Sequence, residues 1–145
     1  MYKGKVQIKR IDKELPVPQF HTAGSVAFDL LTRVETVVEP GKIALIPANL
    51  IVKVPDGYML CLASRSSTPL KKGLLTPHGI GIVDLDYHGP NDELKIQVYN
   101  FTENPITVSR GDRVAQGCFI RVDLFELEEV EQIEAENRGS FGSTG

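Results

Sequence analysis

Cysteine is nearly absent from this chain, with two in 145 residues, and neither sits in a metal-ligand spacing. Cys61 and Cys118 lie inside apolar runs, so the expectation is two buried thiols in a reducing compartment, not a disulfide framework or a zinc site. Excess charge is also lacking. Sixteen Lys and Arg against nineteen Asp and Glu leave a net charge of −3, which argues against a general nucleic-acid or membrane surface. No apolar run approaches membrane-spanning length, and the polar start of the chain has no signal-like apolar stretch. The chain is accordingly read as cytoplasmic. Long helical periodicities are missing too. Only residues 67–72 and 127–136 have helical character, and both stretches are short. There is no internal repeat and no linker that would split the chain, so one domain is expected at this length.

Short β-type segments punctuated by turn residues fill most of the chain. Residues 6–11 alternate with period two, as a half-buried strand does. Residues 42–54 are apolar and β-branched, and Pro55-Asp56-Gly57 then turns the chain into a strand at 58–62. Further strands are expected at 80–85, 94–101, 106–108 and 114–122. Most of the nine prolines fall at segment ends, where a missing N–H costs least. Many short strands at regular spacing predict an all-β fold, a jelly-roll-like distorted barrel. After it comes an acidic stretch, with seven carboxylates and no Lys or Arg between Asp123 and Glu136, read as a solvated edge or spacer. The boundary is placed at 1–136 for the barrel and 137–145 for a glycine-rich tail.

Four stretches inside the barrel carry polar groups that could do chemistry. Asp84 and Asp86 follow an apolar strand and precede a turn at 88–92. A carboxylate there can hold and deprotonate a water, or it can cap the hairpin. Ser64-Arg65-Ser66-Ser67 follows a strand and could form a phosphate cradle, although a serine-capped turn accounts for the hydroxyls equally well. Arg113 and Gln116 stand in an otherwise apolar strand and need partners, structural or otherwise. Asp29, embedded in GSVAFDL (24–30), is expensive to bury alone; it should meet a cation, a metal-bound water or backbone donors. His21, His78 and His88 show no metal-site spacing. The tail lacks aliphatic anchors but has one arginine and one phenylalanine among glycines and hydroxyls. Such a segment can fray in solvent, or it can close over a nucleotide.

Taken in order, GSVAFDL, SRSS, GIVDLDY, RVAQ and RGSFGSTG resemble the five motifs of the trimeric all-β dUTPases, across residues 24–145. The resemblance implies a homotrimer with active sites at subunit interfaces, hydrolysing dUTP to dUMP and pyrophosphate with Mg²⁺. In that scheme Asp84 is the general base and Tyr87 packs under the deoxyribose. Arg65, Ser66, Ser67 and Gln116 bind phosphates, and Asp29 holds Mg²⁺ through water. Lys95 and the backbone of Ile82 and Val83 line the base and sugar, and His78 occupies the position of a base-reading Asn. Arg138 reaches the γ-phosphate, Phe141 stacks on uracil, and Gly142, Ser143 and Thr144 close over the phosphates.

The sequence also departs from the family pattern. Ala27-Phe28 replaces Gly-Tyr, Ser64 and Ser67 replace Pro and Gly and add hydroxyls to the phosphate loop, and the tail is compact. Two rivals follow. In the related dCTP deaminases a Glu drives deamination where this chain has Gln97, an amide unable to exchange the required protons. A nucleotide-binding regulator with reduced activity is the other.

Overall fold

Eleven β-strands and one short helical turn make up the chain in the computed structural model, which describes residues 2–142. The strands are β1 (Gln7–Arg10), β2 (Phe28–Leu31), β3 (Thr36–Val38), β4 (Ile43–Pro47), β5 (Leu50–Lys53) and β6 (Tyr58–Ser64). The helical turn Thr68–Lys72 comes next, followed by β7 (Leu74–Leu75), β8 (Gly81–Val83), β9 (Lys95–Asn100), β10 (Ile106–Val108) and β11 (Arg113–Arg121). All pairings are antiparallel. A four-stranded sheet in the order β2-β11-β6-β8 shares its core with a three-stranded sheet β4-β9-β7, and β1-β5 and β3-β10 form two small ribbons. The all-β expectation holds.

Alternation along the strands decides which side chains enter the core, because successive residues point to opposite faces. From the larger sheet, Phe28, Leu30, Leu60, Leu62, Val83 and Ala115 point inward; from the smaller, Leu74, Ile46, Ile96 and Val98 meet them. The outer face of the larger sheet carries what remains: Asp29 opposite Gln116, Ala63 beside Gln116, and Cys61 between Cys118 and Ile82. At Gly117 the inner face has no room for a side chain. A Cβ there would lie 2.9 Å from Phe28 Cζ and 3.2 Å from Leu60 Cδ1.

Two segments differ from the sequence expectation. The apolar run 42–54 is not one strand. It breaks at Asn49, which takes a left-handed φ of 66° and is buried. Asn49 accepts a bond from Asp12 N–H (2.6 Å) and donates one to Asp12 O (3.0 Å), so a side-chain lock to the N-terminal segment outweighs β-propensity. Residues 127–136 form no helix. Their close-spaced carboxylates repel, and no barrel surface covers the segment. The chain leaves the sheet at Val122, whose N–H bonds Gly57 O (3.0 Å), and then runs exposed.

Candidate active site

Strand β8 ends at Val83, whose side chain is in the core, so the next residue, Asp84, emerges at the rim. Backbone bonds close the turn that follows, Tyr87 N–H to Asp84 O (3.4 Å) and His88 N–H to Asp86 O (3.0 Å). This turn does not consume the Asp84 carboxylate as a cap; the side chain stands exposed beside a pocket of about 490 Å³. Tyr87, Ile82, Val83, His78 and Lys95 share that pocket, walled by Leu45, Leu62 and Leu94. Six residues singled out in the sequence therefore meet in one place. Gln97 contributes a neutral amide to the same wall.

The hairpin bearing Tyr87 is tied to the barrel at its far end. Tyr87 donates its hydroxyl to Glu93 O (3.2 Å), and Asp92 accepts Gly89 N–H (2.7 Å). The Glu93 carboxylate is gripped by Arg33 in a two-pronged pair, Nε at 2.7 Å and Nη2 at 3.0 Å, and accepts Asn49 N–H (3.0 Å). Hydrogen bonding to Glu93 holds the Arg33 pKa above its ordinary value, more than burial lowers it. Leu94 continues the attachment, with N–H to Leu50 O and carbonyl to Ala48 N–H, both 2.8 Å.

A second cluster forms on the outer face of the larger sheet. Asp29, 8% exposed, is bonded by Arg65 Nε (2.9 Å) and His21 Nε2 (2.6 Å), with Arg113 Nη1 at 3.6 Å. Arg65 also donates to Arg113 O (3.3 Å). Gln116, directly across the ladder from Asp29, donates to Ser64 O (3.1 Å). The cations answer the question of how a carboxylate survives there. Sequence reading placed Asp29, Arg65 and Gln116 here but missed His21 and Arg113 as Asp29 partners, since no periodic spacing joins residue 21 to residue 29 across an irregular loop.

The hydroxyls divide. Ser64 bonds Thr76, hydroxyl to hydroxyl at 2.7 Å, and accepts Thr76 N–H at 3.1 Å, so it fastens β6 to the segment after β7 and adds nothing to the phosphate loop. Ser67 precedes the helical turn but makes no side-chain cap, and Ser66 is exposed. Thr68 is buried and donates to Val114 O (2.9 Å), anchoring the turn. In the tail, Arg138, Phe141 and Gly142 are exposed, and Phe141 has a φ of 42°. The structure brings neither Arg138 nor Phe141 to the pocket; Ser143 and Thr144 lie outside the described residues.

The chain as a whole matches a known group of proteins. The dUTPase family model matches residues 13–145. The chain belongs to the dUTPase family. A deoxyuridine 5'-triphosphate nucleotidohydrolase of Caulobacter vibrioides is 38% identical over 138 residues, 91% of this chain and 87% of that protein. The dUTPase of Streptococcus mutans, solved as a crystal structure, is 32% identical with a TM-score of 0.76, covering 82% of this chain and 98% of that one. A Staphylococcus bacteriophage 80alpha dUTPase G164S variant with dUpNHpp is 25% identical, TM-score 0.83, covering 99% of each chain. The jelly-roll-like β fold is thereby the dUTPase fold.

Proposed function

We propose that this dUTPase hydrolyses dUTP to dUMP and pyrophosphate, with Asp84 as general base. The observation that carries the assignment is the exposed Asp84 carboxylate on the rim of the pocket that also holds Tyr87, Ile82 and Lys95. Membership of a family whose relatives are named for this reaction supports the substrate, as does the dUpNHpp described with the phage enzyme. Asp84 accepts a proton from a water as its oxygen bonds the α-phosphorus. The bond from that phosphorus to the oxygen bridging the β-phosphate breaks, and pyrophosphate leaves. Tyr87, steadied by Glu93 O, offers a flat face to the deoxyribose where a 2′-hydroxyl would collide. Base and sugar lie against the Ile82 and Val83 backbone, Lys95 and His78.

Arg65, Ser66, Ser67 and Gln116 serve the phosphates from the second cluster. Among the described residues no group of three His, Cys, Asp or Glu side chains is placed to hold a metal, and Mg²⁺ bound with a triphosphate would commonly keep several waters and take phosphate oxygens. Asp29, whose carboxylate retains acceptor capacity beyond Arg65, Arg113 and the His21 ring, would bond a water of that ion. When bound, Mg²⁺ offsets phosphate charge.

The assembly proposed is a homotrimer. Arg138 and Phe141 stand apart from the Asp84 pocket, and the family resemblance implies that they serve another subunit. Leu124, Phe125 and Leu127 are 78%, 82% and 95% exposed, and a groove of about 520 Å³ lined by Tyr2, Phe20, Phe28 and Phe119 is open on the barrel. Uncovered apolar surface of both kinds favours association between copies. In this reading residues 1–136 comprise the barrel with its exposed acidic spacer beyond Val122, and 137–145 act as the lid. Among the described residues no helix is long and apolar enough to cross a membrane. Pyrophosphate release from dUTP with Mg²⁺, compared with dCTP and with Asp84→Asn, tests the reading. Deamination of dCTP, which Gln97 disfavours, or no release from dUTP would overturn it.

A further inference from the structure

Cys61 on β6 and Cys118 on β11 are directly opposite each other in the antiparallel ladder, and both are free. Their spacing along the chain offers no reason to pair them; the register does. Opposed residues in either type of antiparallel pair have Cα atoms about 4.5–5.5 Å apart. A disulfide accepts about 4.4–6.8 Å. Both side chains lie on the outer face of the larger sheet, since their neighbours Leu60 and Leu62 point into the core. They differ in access: Cys61 is buried, whereas Cys118 is half-buried. Burial, followed by the neighbouring Cys118 thiol, holds the Cys61 pKa above its ordinary value. That leaves Cys118 as the thiol to react first.

We propose that Cys61 and Cys118 form a reversible redox pair whose oxidation by small disulfides slows the enzyme. The Cys118 thiolate attacks one sulfur of a low-molecular-weight disulfide and expels one thiolate, leaving a mixed disulfide on Cys118. Cys61 then attacks the Cys118 sulfur and expels the second. The two protons of the protein thiols end on the two released thiols, and two electrons pass to the reagent.

The pair is built into the sheet that carries the site. Cys61 is flanked on its other side by Ile82, two residues before Asp84; Cys118 lies two residues after Gln116. Opposed Cβ atoms normally stand about 4.5–5.5 Å apart, and a disulfide holds them at about 3.5–4.5 Å, most often near 3.8 Å. Closing the bond therefore draws β6 and β11 together by up to about 1 Å, and a 1 Å displacement at a catalytic site costs up to about a hundredfold. The effect on rate rests on the roles proposed above for Asp84 and Gln116; formation of the bond does not.

The experiment treats reduced full-length protein with oxidised glutathione, maps the cysteines by peptide mass spectrometry and follows pyrophosphate release from dUTP. A Cys61–Cys118 linkage within one chain is expected, with kcat/KM lowered about tenfold and restored by dithiothreitol. Cys118→Ser should keep its rate under the same treatment and form no linkage. Glutathione retained on Cys118 without ring closure, a linkage between chains, or a mapped bond with unchanged kcat/KM would each overturn the proposal. If the reduced enzyme leaves dUTP untouched, the assignment of the reaction fails instead, and the peptide map still decides whether the pair forms.

Discussion

The Asp84 hairpin and the C-terminal tail both carry residues of the proposed site, yet the chain treats them in opposite ways. The hairpin is closed by Tyr87 on Glu93 O and tied at Glu93 and Leu94 to three parts of the barrel, Arg33, Asn49 and Leu50. The tail beyond Val122 exposes both its charges and its apolar side chains, with Phe141 fully exposed. The group that must stand at a fixed distance from phosphorus is set in advance, where preorganisation is worth most. The tail groups assigned above to cover the substrate would gain their partners only from the substrate or another copy, so in that proposal closure reports that the pocket is filled.

The largest expected effect falls on the hairpin's chemistry. Asp84→Asn keeps shape and removes the proton acceptor, so kcat should drop by about a hundredfold to ten-thousandfold. Binding of dUpNHpp, measured calorimetrically, should stay within a few-fold of the parent, because the carboxylate is exposed and holds no part of the turn. A comparable loss of binding would place Asp84 among the anchoring groups and blur the contrast with the tail.

Phe141→Ala probes the other side. Base–aromatic stacking is worth about 1–3 kcal/mol, so kcat/KM should fall by roughly 5- to 150-fold. Thermal stability of the ligand-free protein should be unchanged, since the ring touches nothing that folding depends on. A lowered melting temperature without ligand would show that the tail is already docked.

Legibility from sequence follows the same divide. Strands announced by alternation, such as β1 and β9, and the short β10 were expected near their observed bounds, because a periodic apolar face has few other uses. Asp84 stood out as an acid next to a buried strand, and Asp29 as a carboxylate needing a cation, a metal-bound water or backbone donors; the structure supplies Arg65 and Arg113. Contacts between distant, aperiodic positions could not be read. Arg33 meets Glu93 across sixty residues of chain, and Ser64 meets Thr76 instead of facing the phosphate loop. The break at Asn49 was hidden because its cause, Asp12, lies 37 residues away.

Arg33→Gln sharpens the comparison at a smaller scale. The variant keeps a donor but loses the two-pronged grip on Glu93, a part-exposed pair whose loss should cost about 1–2 kcal/mol locally. Amide hydrogen exchange at residues 84–94 should speed up by roughly tenfold, while residues 123–142 exchange as before. KM for dUTP should rise, because Tyr87 is steadied through the Glu93 carbonyl. Unchanged exchange in the hairpin would mean that Asn49 and Leu50 hold it alone.

The smallest effect concerns His21, which lies between the two extremes: exposed on one side and bonded to Asp29 Oδ2 on the other. Removing it leaves Arg65 on Oδ1 and Arg113 at 3.6 Å, so Asp29 keeps its charge compensation and the fold should hold. What changes is how tightly the carboxylate, and through it Arg65, is oriented toward the phosphates. A hydrogen bond is worth about 0.5–1.5 kcal/mol net, toward the low end where one partner is exposed, so His21→Ala should raise KM for dUTP by about two- to threefold with kcat unchanged. His21→Asn can still donate a bond and should recover part of the difference. A fall in kcat with KM intact would instead place His21 beside the reacting phosphorus, and the barrel would then hold two chemical groups where the present geometry assigns one.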